Sequence, residues 1–350
     1  MNVLIIQQYS MRSYENNEYL FDKDGHSDTM LSLIKGVDKE DYNFTIVVPD
    51  NVRGGLKAVK KYIDFWKIKS NVMILCKKFG INIDEERSDF DRQYWKNVIE
   101  ENNVDLVINM NDVIAPNLAT LRRYCSKTFK IYTILDHMPF YKHSWQHPNH
   151  GKIHRILESI DVSDRVFTYF EHTQSILSYL SKREISLIPA FSTEFLNKFA
   201  MRDLTNYSEL HELIDEKHEK TLLASRLTDK TKYTPEAIKQ HCNARSTDLL
   251  ICNPNELNEK FIDDAFKDAE FPKLKTKNDF LKLLSKSMYM INTIDPEVIL
   301  SSSSLQAIYY ACELEPFRRY DRDYLMIKQF KFINNYSIEY TPTKLRRLYS

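Results

Sequence analysis

Short, uninterrupted apolar runs recur along this chain, each followed by a stretch with helical spacing, and few folds accommodate that alternation. Asn2–Gln7 (NVLIIQ) is the first run. A polar loop follows, then Ser27–Gly36, where Met30, Leu31, Leu33 and Ile34 have helical spacing, and then Phe44–Pro49 (FTIVVP). Val104–Met110 (VDLVINM), Phe129–Leu135 (FKIYTIL), Arg165–Phe170 (RVFTYF) and Ile185–Pro189 (ISLIP) continue the rhythm. A strand that is apolar on both sides needs cover on both sides, which predicts a parallel sheet with helices on each face. One doubly wound α/β lobe is therefore expected over residues 1–191.

Residues 192–220 are polar and charge-dense without a clean strand, and read as a connection. A second alternation then begins. Thr221–Arg226 (TLLASR), Asp248–Asn253 (DLLICN) and Met288–Thr293 read as strands, and Pro235–Cys242, Asp279–Ser287 and Leu305–Glu313 as helices. These predict a second lobe over residues 221–323, with residues 324–350 packing back onto the first.

Composition narrows the function classes. Lys+Arg and Asp+Glu are equal at 49 each among 350 residues, so no global basic excess advertises a nucleic-acid partner, and any such contact must come from a local basic face. The five cysteines are scattered without a C-x-x-C pair, which reads as reduced thiols. No apolar stretch is long enough for a membrane span, and the opening run is too short for a secretion signal, so a cytoplasmic protein is expected. With only six glycines there is no G-x-G-x-x-G after the first strand, and no P-loop. Two doubly wound lobes lacking both fingerprints suit nucleotide-sugar transferases better than dehydrogenases or ATPases.

The densest cluster of reactive side chains lies in Ile131–Gly151 (IYTILDHMPFYKHSWQHPNHG). Asp136 directly follows an apolar strand, where open parallel sheets gather ligands, and a carboxylate there can take a proton from an attacking hydroxyl. The same position also suits an aspartate that caps a turn. The neighbouring histidines show no convincing helical pair, and no histidine-bound metal is expected.

KIYTILDHMPFYKHSW resembles the segment of the T-even phage DNA β-glucosyltransferase family that carries the catalytic aspartate. The shared elements are a K-I-Y strand, an aspartate at its end, a Pro-Phe pair, Ser-Trp and a nearby Pro-Asn, with one gap between Asp136 and Pro139. FINN (Phe332–Asn335) is similar to part of that family's C-terminal region. The resemblance implies a GT-B fold, two Rossmann-like lobes facing a cleft, with Asp136 as general base. It further implies an inverting transfer of a sugar from a UDP-sugar to a hydroxymethylated cytosine in double-stranded DNA inside an infected bacterium. His137, Tyr141, Lys142, His143 and Trp145 are then candidate acceptor and DNA contacts, joined by Arg53 and Lys57 of the basic run RGGLKAVKK. Arg122–Lys130 is a second basic stretch. An extruded base would stack on an aromatic side chain such as Trp66, Tyr141 or Trp145. The resemblance also allows Mg²⁺ to assist charge neutralisation or product release. A monomer is expected.

Candidate donor contacts fall in three places. Arg226, Lys230 and Lys232 follow the first strand of the second lobe and can converge on a diphosphate, though a solvated charged loop has the same composition. Ser303 and Ser304 precede a helix bearing Gln306 and Tyr309, where free backbone N–H groups favour an anion. GT-B enzymes place a ribose-gripping carboxylate on the equivalent helix; here Gln306 and Tyr309 or Tyr310 occupy that face and Glu313 follows a turn later, which leaves the sugar open between glucose and a pentose such as arabinose. Gly25, His26 and Ser27 open the first helix and are candidates for the diphosphate or sugar, with Ser27 as a simple helix cap the alternative. Two further functions compete: a GT-B transferase acting on a cell-surface glycan or lipid, and a non-catalytic nucleotide- or nucleic-acid-binding protein.

Overall fold

In the computed structural model, the described residues are 1–7, 14–23, 25–36, 41–79, 90–110, 114–135, 150–168, 171–187, 217–223, 235–252, 269–272, 277–291 and 312–315, with positions 266, 274, 307 and 310. The apolar runs of the first half become strands. These are β1 (Asn2–Gln7), β4 (Asn43–Pro49), β5 (Asn71–Lys77), β6 (Leu106–Met110), β7 (Lys130–Leu135), β8 (Arg165–Thr168) and β9 (Ser186–Leu187). A short antiparallel pair, β2 (Tyr14–Glu15) and β3 (Glu18–Tyr19), interrupts the loop after β1. The helices are α1 (Gly25–Gly36), α2 (Gly55–Phe65), α3 (Arg92–Glu101), α4 (Ala115–Leu121), α5 (His150–Val162) and α6 (Glu171–Ser181).

The strand order is β5-β4-β1-β6-β7-β8-β9, and each neighbouring pair is parallel. Side chains alternate across a strand, so residues in register share a face. Leu4, Val107 and Ile131 share one, and with Ile6 they pack against Trp95, Val98 and Ile99 of α3 and Leu118 and Leu121 of α4. Leu135 continues that face onto Ile156 and Ile160 of α5 and Leu177 of α6. Gln7 points the other way and meets Ser27 of α1. The sheet is thus covered on both sides, and each fully buried Leu or Ile contributes about 1.5–3 kcal/mol relative to exposure.

Local chemistry sets several element ends. Asp91 caps α3 by accepting from the Tyr94 N–H at 2.9 Å. Gly54 caps α2 with φ of 73°, and a Cβ there would meet Ala58 Cβ at 3.0 Å, so only glycine fits without a shift. Arg122, one of the basic candidates, is committed to structure. It grips both carboxylate oxygens of Asp164 at 3.0 and 3.3 Å and lies over the Phe129 ring.

The chain divides into two units, Met1–Ala190 with Lys344–Ser350, and Phe191–Thr343. Within the second, β10 (His218–Leu223), β11 (Asp248–Ile251), β12 (Ser287–Ile291) and β13 (Glu313–Glu315) form a parallel sheet in the order β11-β10-β12-β13. Helices α7 (Pro235–Arg245) and α8 (Lys277–Lys286) accompany it. Ile238 and Cys242 of α7 pack on Leu223, Leu249, Ile251, Phe266 and Ile291. Two expectations shift. The first strand opens at His218, three residues before the expected Thr221, and Glu313 does not end a helix but opens β13, paired in parallel with Tyr289. The alternating Glu-Leu-Glu, next to an open sheet edge at β12, outcompetes one more helical turn.

Candidate functional site

The strand order of the first sheet reverses between β1 and β6, because the chain leaves β1 toward β4 and β5 and later returns to place β6 on β1's other side. At such a switch point the loops from neighbouring strand ends run to opposite faces and leave a crevice at the carboxyl edge, where open α/β sheets bind ligands. Gln7 ends β1 there, in register with Met110, which ends β6.

The first turn of α1 closes one side of this edge. Ser27 is fully buried, and its hydroxyl receives the Gln7 Nε2 at 3.4 Å and meets the Tyr19 hydroxyl at 3.1 Å. Asp28, 5% exposed, accepts a hydrogen bond from the Tyr62 hydroxyl at 2.8 Å. His26 is half-buried with its Nδ1 turned inward. Gln7 itself is 2% exposed, yet its Oε1 has no hydrogen-bond partner among the described residues.

A second polar line crosses the opposite face one residue back from the edge. The Asn109 amide donates to Thr133 Oγ1 at 3.4 Å, Thr133 bonds the Ser163 hydroxyl at 2.7 Å, and Ser163 donates to the Ser159 carbonyl at 2.7 Å. All four residues are buried, so this chain ties β6, β7 and the end of α5 in one register. Thr168, opposite Leu135 and fully buried, leaves its hydroxyl without a partner among the described residues.

Of the residues singled out from sequence, Gly25, His26 and Ser27 lie in the first turn of α1. Ser27 does not cap that helix: it is the third residue inside it, and its hydroxyl is held by Gln7 and Tyr19. Arg53 is exposed and paired with Glu18 at 3.0 Å, and Lys57 is exposed on α2. Asp136, His137, Tyr141, Lys142, His143 and Trp145 lie outside the described residues, as do Arg226, Lys230, Lys232, Ser303, Ser304, Gln306 and Tyr309. The strands that lead into these segments are described. Asp136 is the residue after the end of β7. Arg226 follows the end of β10, and the serine run follows the end of β12, two strands that are hydrogen-bonded neighbours.

No protein-family model matches the chain, and no curated protein is detectably similar to it in sequence. Solved structures match it in fold. The sucrose-phosphate synthase of Thermosynechococcus elongatus superposes with a TM-score of 0.60 at 10% identity, over 100% of this chain and 95% of its own. UGT89C1 of Arabidopsis thaliana, solved with UDP, gives 0.59 at 11% identity, over 99% and 98%. The UDP-GlcNAc 2-epimerase of Neisseria meningitidis, bound to UDP-GlcNAc, gives 0.54 at 13% identity, over 98% and 95%. The chain has a GT-B fold.

Within the GT-B chain, sequence reasoning passed over Gln7, Asp28, Tyr62, Asn109 and Thr133. Gln7 and Asn109 carried a signal, since each is a polar residue at or near the carboxyl end of an otherwise apolar strand. An amide in such a place, buried with its strand, needs partners from elsewhere. Asp28 and Tyr62 carried none, because their pairing joins residues 34 positions apart.

Proposed function

We propose that this GT-B chain is a glycosyltransferase that moves a sugar from a UDP-sugar to a hydroxyl of its acceptor, with Asp136 as general base. The observation that carries the reading is that β7 ends at Leu135, so the catalytic-type segment continues directly from the carboxyl edge beside the switch point. Asp136 would take the proton of the attacking hydroxyl, which displaces the UDP leaving group from the anomeric carbon in one inverting step. Arg226, Lys230 and Lys232, after β10, and Ser303 and Ser304, after β12, would meet the growing charge on the diphosphate from adjacent strand ends. Gln306 and Tyr309 would contact the nucleoside or sugar. The first unit then serves the acceptor and the second the donor.

The acceptor best supported by the KIYTILDHMPFYKHSW resemblance is a hydroxymethylated cytosine in duplex DNA, with His137, Tyr141, Lys142, His143 and Trp145 on the base side. Lys57 would contribute to the backbone side. Phosphate contacts of this kind position the duplex without reading its sequence. Among the described residues no three His, Cys, Asp or Glu side chains converge as a cation cage.

Labelled UDP-glucose and UDP-arabinose, offered with hydroxymethylated and with unmodified duplex, test the reading. Label should enter only the hydroxymethylated DNA, and Asp136→Asn should lower turnover by at least about a hundredfold while UDP binding persists. Near-normal turnover of that variant would remove Asp136 as base. Label entering glycan or lipid acceptors instead would replace the DNA acceptor and keep the transferase.

A second reading follows from the likeness to the Neisseria meningitidis 2-epimerase. A GT-B protein can process a UDP-sugar with no acceptor at all. Incubation with UDP-GlcNAc alone, followed by proton NMR at the sugar C2, separates the two: epimerisation without DNA would favour this reading over transfer.

A further inference from the structure

Pairing between β6 and β7 starts with Leu106 opposite Lys130, and its last rung among the described residues is Asn109 opposite Thr133. Beyond that rung β6 continues along β1, with Met110 opposite Gln7, while β7 continues along β8, with Leu135 opposite Thr168. Over Ile134 and Leu135, therefore, β7 has a ladder partner on one side among the described residues. The buried polar line crosses the sheet at this last rung. Ser163 gives its one hydroxyl proton to the Ser159 carbonyl, so Thr133 donates to Ser163, and the Thr133 oxygen accepts from the Asn109 amide. The bonds run in one sense from β6 through β7 to the end of α5, and bonds chained in this way reinforce one another. Apolar side chains of the same shape would fill the place with no polar group to bury, and such replacements are often neutral or stabilising. Directional bonds here fix position more than they add stability.

Resting on the transferase reading, we infer that Thr133 is a positioning residue for the general base. Asp136 follows it by three residues, within about 10 Å of extended chain. It opens the segment 136–149, which leaves β7 and enters α5. The Thr133–Ser163 bond ties those two flanking elements to each other, and the Asn109 bond sets the point at which β7 leaves β6. Both ends of the segment are thereby referred to one hydroxyl. Thr133 is fully buried, so it acts through the strand and not by meeting a substrate. A displacement of the base of about 1 Å is enough to slow a reaction by up to a hundredfold.

The test is a double-mutant cycle of Thr133→Val and Asp136→Asn, read as transfer of labelled UDP-glucose or UDP-arabinose to hydroxymethylated duplex, with calorimetric titration of UDP alongside. Valine keeps the shape of the side chain and deletes the hydroxyl. Assayed well below its melting transition, Thr133→Val should lower kcat about ten- to a hundredfold, with the KM for the UDP-sugar and the affinity for UDP unchanged. Thr133→Ser, which restores the hydroxyl, should recover most of the rate. In the Asp136→Asn background, single-turnover measurement should show no further loss from Thr133→Val, because no base is left to misplace. If Thr133→Val does not fold, Ser163→Ala breaks the same line on the α5 side and should show the same loss of kcat and the same silence with Asp136→Asn. An unchanged kcat, a loss that Thr133→Ser does not recover, a parallel weakening of UDP binding, or a loss that multiplies with that of Asp136→Asn would overturn the inference and leave Thr133 a packing residue. No transfer by the wild type, or a full rate in Asp136→Asn, would instead overturn the reading it rests on, and the inference with it.

Discussion

Lys217 Nζ lies 3.6 Å from Cys312 Sγ at the amino edge of the second sheet, and both groups converge on the Ser287 carbonyl, at 2.8 Å from the nitrogen and 3.2 Å from the sulfur. Lys217 precedes β10, Ser287 opens β12 and Cys312 precedes β13, so one lysine staples three strands at their starts. Its Nζ also donates to the Ser285 carbonyl at 3.3 Å. Lys217→Met keeps the packed stem and removes the donor, leaving buried carbonyls under-bonded, at a cost of about 1–3 kcal/mol. Urea unfolding followed by circular dichroism should show that loss; an unchanged midpoint would mean the staple is redundant.

The cysteines should rank by burial when a native sample is alkylated at mildly alkaline pH. Cys76 is exposed on edge strand β5, with its thiol raised by burial and by the charge of Asp50. Cys125 is half-buried and raised by burial and by Glu100. Cys242, Cys252 and Cys312 are buried, and burial pushes the Cys252 thiol up to about 12. Thiolate is the reactive form. Mass spectrometry of digests should therefore find Cys76 labelled first, Cys125 next, and the other three only after denaturation. Early labelling of Cys252 would contradict the packing around the end of β11.

The central strands were legible from sequence because they are buried on both faces and so carry few polar residues. β1, β4 and β7 fall within a residue of where their apolar runs predict. β5 was not read, because as an edge strand it is half-exposed and its sequence NVMILCK mixes polar ends with an apolar middle. β10 begins at His218, three residues before its apolar stretch, since ladder pairing with β11 and β12 extends a strand into exposed positions that hydropathy ignores. The site divides in the same way. Ser27 could be picked out because it sits at a helix-start signal, while Asp136, picked out at a strand end, lies outside the described residues. The burial of the Gln7 amide could not, since it depends on Tyr19, delivered by the β2–β3 hairpin.

Acid should strip the fold of the contribution of Glu100. Its carboxylate receives Lys96 Nζ at 2.6 Å, the Ser126 N–H at 2.7 Å and the Ser126 hydroxyl at 3.0 Å. The Lys96 bond and then the Ser126 N–H hold its pKa at about 2, against an ordinary 4.5. A carboxyl depressed on folding stabilises the fold above its unfolded pKa and loses that contribution as pH falls through the folded one. The wild type should therefore exceed Glu100→Gln in stability near neutrality, and the gap should close between about pH 4.5 and 2. A gap constant across that window in pH-dependent melts would assign the difference to packing.

The basic face of α2 makes the DNA-backbone role measurable separately from catalysis. Val59 and Ile63 bury one side of this helix, while Lys57, Lys60 and Lys61 stand exposed on the other. Their charges have no core function, so Lys57→Glu, Lys60→Glu and Lys61→Glu together should leave stability within about 0.5 kcal/mol of the wild type. If this face lies along a duplex, each lysine releases counterions on binding, and losing three lowers the slope of log affinity against log salt by roughly three. UDP binding should not move, because these charges belong to the first unit and the proposed donor segments follow β10 and β12 of the second. Fluorescence anisotropy of a labelled duplex over a salt series reads the slope directly. An unaltered slope would mean that the duplex runs elsewhere on the protein, while a slope near zero already in the wild type would mean that DNA is not its acceptor.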